Sequence, residues 1–292
     1  MPYLPRSPRR SEPHSPRRYT AAEIRLAAEP PSRRRDRDLA RVAEWLSADP
    51  AAPMRAVGWE PDPWQAAFLA NGHPRRALLC CRRAGKSAAS AARTLTHCLG
   101  GGDRLALVFS PTERQSREYC RYVRRYARAL GHPVGIARQN LNEVEWANGS
   151  RLLSLPDNHE GVVGFTPTRI VIDEASRVSD VLYLSLRPML ATGGEIELLS
   201  TPFGKRGFFF EIFNTPARLA AFGCRHRVTW RDVRRITPEF IAEERLELGE
   251  RWFRQEWETS FEDAVDAVFA ADAVRRAACD DPETAPLFGT RA

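Results

Sequence analysis

Lys86 is one of only two lysines in a chain of 292 residues that carries the rest of its positive charge on 42 arginines. It sits in Cys80-Cys81-Arg82-Arg83-Ala84-Gly85-Lys86-Ser87. A compact ammonium on a slim stem can reach the β- and γ-phosphates of a nucleotide where a planar guanidinium is too wide, and Gly-Lys-Ser is the core of a phosphate-binding loop. Arg76 to Cys80 reads as a short buried strand and Ser87 to Leu95 as a helix, which is the context such a loop requires. Cys80 stands where the general pattern has a glycine. A lysine at an ordinary helix N-terminus is the plainer alternative, but the helix dipole disfavours a cation there unless an anion is present.

A second constellation is Arg169-Ile170-Val171-Ile172-Asp173-Glu174-Ala175-Ser176, an apolar strand ending in two adjacent carboxylates. Runs of β-branched residues buried on both faces belong to parallel sheets, whose ligands sit off the carboxyl ends of the strands. Asp173 suits Mg²⁺ as a hard oxygen ligand acting through water, and Glu174 suits the orienting or deprotonating of an attacking water. An acidic turn capping the next helix is the structural alternative. A third strand, Ile196 to Leu199, ends in Ser200-Thr201-Pro202, where hydroxyls could sense a terminal phosphate and couple its loss to movement. The strands leading to Lys86 and Asp173 are expected to be parallel neighbours, with Ser200 on an adjacent strand. Gln65, in Pro61-Asp62-Pro63-Trp64-Gln65, lies just upstream of the first core strand, and a side-chain amide can pair with both the donor and the acceptor on the adenine edge.

Taken together, these stretches resemble the ATPase part of the large terminase subunit, the DNA-packaging motor of tailed bacteriophages. The matching residues are 61–65, Arg82 to Ser87, Ala147-Asn148-Gly149-Ser150-Arg151, Ile172 to Ala175, Leu199 to Gly207 with Phe208-Phe209, and Phe253-Arg254-Gln255-Glu256-Trp257. The resemblance runs from about residue 40 to about 270. Val163-Gly164-Phe165 departs from it, because relatives often carry Arg-Gly there. It implies a P-loop NTPase of the RecA/ASCE-like α/β class, a mostly parallel sheet flanked by helices, with a small helical linker subdomain. It implies ATP and Mg²⁺ as cofactors, with nucleotide binding by Gln65, Arg82, Arg83, Ala84, Gly85, Lys86 and Ser87. Ser87 and Asp173 then hold the metal, while Lys86, Arg82 and Glu174 are catalytic, Arg82 as the family's in-cis arginine. Ser200, Thr201 and Pro202 couple hydrolysis to motion. The implied partners are double-stranded DNA, the portal protein, the small terminase subunit and further copies in a ring, in the cytoplasm of a bacterial host.

Composition bounds the rest. The chain is long enough for one sizeable α/β domain and a small appendage, burying roughly three-quarters of its unfolded surface. No apolar run nears the roughly 20 residues needed to span a bilayer, and the arginine-rich N-terminus has no apolar stretch behind it to make a secretory signal. Six scattered cysteines without a C-x-x-C pair suit reduced thiols rather than zinc. Residues 1–38 carry ten arginines and five acids, so the remainder of the net +7 is nearly neutral, and any DNA contact must be a local patch. This segment, with Ser-Pro-Arg-Arg at 7–10 and 15–18, is expected to be a disordered Arg/Pro-rich tail that either binds nucleic acid or precedes the true start.

The expected organisation is therefore a tail over 1–38, the ATPase domain over 39–230, a helical linker over 231–270 and a C-terminal tail over 271–292. Helices are predicted over 38–48 and 113–130, the latter with Arg114, Arg117, Arg121, Arg124 or Arg125, and Arg128 on one face and tyrosines on the other. That basic face is either solvated or a stripe tracking phosphates or a neighbouring subunit. A hairpin turns at Asn148-Gly149, a strand covers 225–230, and Thr237-Pro238 starts a helix that Gly249 ends, with another over 250–260.

Two other functions stay open at this level. A helicase or related translocase shares the loop and the acidic pair but needs a second lobe. A remnant binding nucleic acid through its basic tail needs no catalysis. The expected organisation leaves about twenty residues after Phe269, against the roughly 150 that a nuclease fold takes, which reads as a fragment, a split gene or a decayed remnant. Two-metal cleavage needs several carboxylates fixed by a rigid sheet around ions about 4 Å apart. Asp173 and Glu174 belong to the nucleotide, and Asp280, Asp281 and Glu283 lie among prolines. The 292-residue chain is therefore expected to leave supercoiled plasmid intact with Mg²⁺ or Mn²⁺. Nicking abolished by Asp280→Asn but not by Asp173→Asn would reveal a nuclease site.

Overall fold

The computed structural model describes residues 31–157 and 164–263. The Ser-Pro-Arg-Arg repeats, Val163, and Asp280, Asp281 and Glu283 of the expected C-terminal tail lie outside the described residues. Helix α1 spans Pro31–Ala48, so helix begins seven residues before the position expected from sequence. After the short helices α2 (Ala52–Ala56) and α3 (Pro63–Ala70), the chain enters β1 (Arg75–Cys80) and then α4 (Lys86–Leu99). There follow β2 (Leu105–Ser110), α5 (Glu113–Ala129), β3 (Ile136–Gln139), β4 (Glu143–Trp146), β5 (Arg151–Pro156) and β6 (Arg169–Asp173). The remaining elements are α6 (Asp180–Leu186), β7 (Glu195–Ser200), α7 (Gly207–Asn214), α8 (Pro216–Ala220), β8 (Cys224–Val228) and α9 (Pro238–Glu258).

The eight strands form one sheet in the order β3-β4-β5-β2-β6-β7-β1-β8. Its pairings from β5 through β8 are parallel, and β3, β4 and β5 add an antiparallel edge around the expected turn at Gly149. Strand β3 is not legible from sequence. Three of its four residues are exposed, so it shows no apolar alternation. One expectation is corrected. The strands leading to Lys86 and Asp173 are not neighbours, because β7 lies between β1 and β6 and pairs in parallel with both. Ser200 thus stands between the other two strand ends rather than beside them.

Helices cover both faces. Leu78, Cys80, Val108, Val171 and Leu199 face α3, α4 and α5, while Ala77, Leu79, Phe109, Ile172 and Leu198 face α6 and α7. All ten are fully buried, and each large apolar side chain removed from water contributes roughly 1.5–3 kcal/mol. The alanines of α4 let that helix lie flat on the sheet, and its buried Ser90 and Thr94 bond the Tyr119 hydroxyl at 2.7 and 2.9 Å. On α5 the tyrosine face is inward as expected. Four of its arginines are engaged locally: Arg117 with Glu113, Arg121 with Glu118, Arg124 with the carbonyls of Asn140 and Leu141, and Arg125 over Trp59. Helix α9 breaks at Gly249, where φ is 70°, as the sequence suggested.

At the amino ends of β1, β6 and β7 lies a buried ionic cluster. Arg169 donates to Glu195 and, at 2.6 Å, to Glu197, while Arg76 reaches Glu195 at 2.9 Å. The side chains of Arg76, Arg169 and Glu197 are wholly inaccessible. Arg169 also donates to Thr94 at 3.2 Å. Burial opposes the charge on Glu195, yet Arg169 and Arg76 outweigh it and hold the carboxyl below its ordinary value. Removing one partner of a buried pair leaves an uncompensated charge and costs about 3–5 kcal/mol. Arg169→Met is therefore expected to lower urea-unfolding stability by about that much. Adding Glu197→Gln to the same chain should recover part of the loss. A double variant no more stable than the single one would show that the charges are not coupled.

Candidate active site

Among the described residues, Lys86, Ser87, Asp173, Glu174 and Ser200 converge on the carboxyl edge of the sheet. From Cys80 the chain turns through a loop with left-handed backbone at Arg83 and Gly85, and α4 starts at Lys86. Such turns aim successive backbone N–H groups into an anion-sized concavity, and the helix N-terminus adds its dipole. Gly85 is required here. Its φ is 85°, and a Cβ would lie 2.8 Å from the Gln65 amide nitrogen and 3.1 Å from the Arg235 guanidinium. Cys80 and Cys81 are fully buried beneath the loop, where burial keeps both thiols protonated, with Cys81 pushed up to about 12. Cys80 thus serves as the last core residue of β1, not as a loop glycine.

Three strand ends supply the remaining groups. Glu174 follows β6 in a left-handed conformation, with φ of 54°, unusual for a residue with a side chain. The twist turns its carboxylate back toward the loop, where Oε1 accepts from Lys86 Nζ at 2.7 Å. Its other oxygen faces the hydroxyls of Ser200 at 3.3 Å and Thr201 at 3.5 Å. Burial works against the charge on Glu174, but Lys86 more than offsets it and the carboxyl titrates below its ordinary value. Lys86 is correspondingly raised: burial opposes its charge and the Glu174 and Asp173 carboxylates overcome that. Asp173 accepts from the Glu174 backbone N–H at 3.0 Å and shares a hydrogen bond with Ser87. Burial dominates at Asp173 and pushes it up to about 6, against the pull of Lys86.

The arginines are held away from the centre of the loop. Arg82 donates its Nε to Glu256 at 2.5 Å, and its backbone N–H donates to the Glu256 carbonyl at 2.8 Å. Arg83 lies over the Phe240 ring, 5.2 Å from its centroid. The Gln65 amide is engaged inside the protein. Its oxygen accepts from the Asp62 N–H at 2.8 Å, and its nitrogen faces the Ala84 and Gly85 carbonyls, each at 3.4 Å. Gln65 therefore braces the loop against the start of α3. Pro202 begins the segment that leads to Phe203, a ring flanked by Arg177 at 3.9 Å and Arg206 at 5.9 Å.

Two cavities flank the loop. One, of about 730 Å³, is lined on its outer side by Met54, Trp59 and Tyr122, and reaches Gln65, Gly85 and Ser87. The other, about 1160 Å³, opens over Lys86, Glu174 and Thr201 toward Arg82, Arg177 and Arg206. Among the described residues, no group of three or more His, Cys, Asp or Glu side chains could hold a metal by itself. The fit is instead to an ion that keeps several waters and takes one carboxylate plus phosphate oxygens, as Mg²⁺ does, with Ser87 and Asp173 together at the right corner.

Sequence reasoning missed Arg235, and it named Glu256 only within the matching stretch 253–257, without a role. Arg235 bridges Asp62, at 3.1 Å, and the Arg83 carbonyl, and so clamps the loop from outside. Neither residue has a local signal, because each acts on the loop from more than 150 positions away in the chain. Asp62 could have been found, since Asp three places before Gln is a helix-capping pattern.

The profile of the family described as terminase large subunit, T4-like virus type, N-terminal, matches residues 78–276. The chain belongs to that family. Among solved structures, the ATPase domain of the large terminase of Thermus phage P74-26 superposes with a TM-score of 0.59 at 19% identity, covering 72% of this chain and 97% of that one. The large terminase of a thermophilic bacteriophage, in complex with ADP, gives 0.59 at 11% identity and covers 68% of this chain and 53% of that one. The HK97 bacteriophage large terminase gives 0.54 at 13%, covering 68% and 50%. The chain thus spans about half the length of these last two large terminases. No curated protein matches it.

The state of Asp173 can be tested directly. Its folded value lies above that of an unfolded aspartate, so the stability it contributes is present in acid and is lost as pH rises through about 6. Asp173→Asn removes the buried charge. The variant should melt above the wild type at pH 8 by on the order of 1–2 kcal/mol, with the gap closing toward pH 4. A variant less stable than wild type at pH 8 would mean that ionised Asp173 is stabilising.

Proposed function

We propose that this chain is the ATP-hydrolysing motor module of a phage terminase, which couples hydrolysis to the movement of double-stranded DNA into a procapsid. The observation that carries the reading is the convergence of Lys86, Ser87, Asp173, Glu174 and Ser200 on one sheet edge beside a roomy cleft. The ATPase domain is assigned to 39–230 and the helical linker to 231–270, of which residues 158–163 and 264–270 lie outside those described. Portal protein, small terminase subunit and further copies in a ring are the partners this role requires, in the cytoplasm of a bacterial host. Among the described residues no helix is long and apolar enough to cross a membrane.

In this reading the loop N–H groups from Arg83 to Ser87 and the Lys86 ammonium take the β- and γ-phosphates. Ser87 and Asp173 hold Mg²⁺, which when bound neutralises charge on the phosphate oxygens. Binding of phosphate gives Lys86 a new anionic partner and releases Glu174 Oε1 from it. Glu174 then orients the water and accepts its proton, a role suited to a carboxylate kept ionised at neutral pH. Arg82 leaves Glu256 to reach the charge that develops in transfer, a contribution typically worth about 10³–10⁵-fold. Gln65 fixes the loop and stands beside the cavity lined by Trp59 and Tyr122, where a base fits. Ser200, Thr201 and Pro202 relay the state of the site to the Phe203 segment.

Two substitutions separate binding from chemistry. Lys86→Ala should weaken binding of a fluorescent ATP analogue strongly. Glu174→Gln should bind it with Mg²⁺ as well as wild type does, yet hydrolyse ATP about 10²–10⁴-fold more slowly. Equal loss of binding in both variants would make Glu174 a structural partner of Lys86 and nothing more.

A further inference from the structure

Ser176 lies two residues beyond Glu174, in a short 3₁₀ turn over Ala175–Arg177, and lines the larger cleft. Its Oγ is 2.7 Å from Ser200 Oγ and 2.7 Å from the Thr201 carbonyl oxygen. Its backbone N–H also donates to Ser200 Oγ, at 3.1 Å. Ser200 Oγ is in turn 3.3 Å from Glu174 Oε2. Ser200 is fully buried, so this cluster must be satisfied within the protein.

A count of protons makes the cluster a switch. Each serine hydroxyl has one proton to donate. Three acceptors compete for the two: the Thr201 carbonyl, Glu174 Oε2 and the other serine's oxygen. When Ser176 donates to the carbonyl, Ser200 can donate back to Ser176 and leave Glu174 without it. When Ser176 donates to Ser200, the Ser200 proton is driven to Glu174 Oε2. The two settings differ by rotation of two hydroxyls, with no heavy atom displaced.

We propose that Ser176 is a positioning residue for Glu174, setting whether Ser200 donates a hydrogen bond to the carboxylate. The proposal rests on the ATPase reading and names a residue within it. While Lys86 holds Oε1 at 2.7 Å, the carboxylate is already neutralised, and the second donor adds little. Once Lys86 turns to phosphate, Glu174 loses its cation. A hydroxyl donated to Oε2 then fixes the plane of the carboxylate toward the water. The Thr201 carbonyl belongs to the stretch that continues to Phe203, on which Arg177, next to Ser176, is stacked. The hydroxyl setting is thus tied to the backbone on both sides of the cleft.

The test is single-turnover ATP hydrolysis with Mg²⁺ by wild type, Ser176→Ala and Ser176→Thr, alongside binding of a fluorescent ATP analogue and thermal melts. A hydrogen bond to a charged group implies a rate loss of about tenfold in Ser176→Ala. Affinity for the analogue should stay within about twofold, because the hydrogen bonds of Ser176 go to Ser200 and Thr201 and not to the loop. Ser176→Thr, which retains the hydroxyl, should recover most of the rate. An unchanged rate in Ser176→Ala, equal losses in the alanine and threonine variants, or a parallel fall in affinity and melting temperature would each overturn the switch alone. A wild type that binds no ATP would instead remove the nucleotide reading, and this proposal with it.

Discussion

Buried charge at one end of three strands governs what their other ends can do. Arg76, Arg169, Glu195 and Glu197 tie β1, β6 and β7 together at their amino ends, where all but Glu195 are sealed from water. A register slip of one residue in any of these strands would move a charged side chain to the opposite face and strand its partner in the core. Apolar side chains of similar size tolerate such a slip far better than an ion pair does. The register that results sets Leu79 of β1 opposite Ser200, and Asp173 of β6 opposite Leu199. One strand length away, the loop, the acidic pair and the hydroxyls therefore arrive level with each other. The cluster is imperfect, because Glu197 Oε1 and Arg76 Nε have no partner among the described residues. That imperfection fits a device that specifies register better than it stabilises the fold.

At the carboxyl edge the same economy of charge holds in a different form. Lys86 is paired with Glu174 and Arg82 with Glu256, so each cation assigned to phosphate already has a carboxylate partner. The two pairs differ in exposure. Lys86 and Glu174 are largely enclosed, with side chains 11% and 18% accessible, whereas Arg82 is 60% accessible. Exchange at Lys86 must therefore occur in a low dielectric, where a multiply charged phosphate competes well against one carboxylate. Arg82 is the exposed member of its pair and free to move, but Glu256 is only 8% accessible, so its release leaves a nearly buried carboxylate that needs another partner.

Much of this was legible in the sequence, and the reasons are specific. The strand ending at Cys80 and the one ending at Asp173 are continuous apolar runs, and a buried parallel strand needs nothing else to be recognised. The turn at Gly149, the start at Pro238 and the break at Gly249 each rest on one residue whose backbone preference is strong. The strand order was not available, because insertion of β7 between β1 and β6 depends on which crossover each helix makes. Local pattern carries no record of that. The Gln65 amide illustrates a different limit. Residue type gives the amide a capacity for an adenine edge, while the capping position three residues after Asp62 gives it partners inside the protein that residue type does not reveal.

The loop is also clamped from two directions by residues that follow β8. Arg235 joins the Arg83 carbonyl to Asp62, and Glu256 holds Arg82 by both backbone and side chain. Cys81 N–H adds a bond to the carbonyl of Val228, at 2.7 Å. Three successive loop residues are thus bonded to the stretch from the last residue of β8 to the end of α9. That segment is broken at Gly249 and anchored in the core by Phe253 and Trp257, so it cannot absorb a displacement by bending at its fixed end. A shift of the loop about a phosphate must be taken up by the Arg82–Glu256 and Arg235–Asp62 pairs or passed along α9 toward Gly249. In both pairs the arginine is exposed while its carboxylate is buried, so the arginine ends are the parts free to move, and the path from the nucleotide loop runs into the helical segment rather than into the sheet.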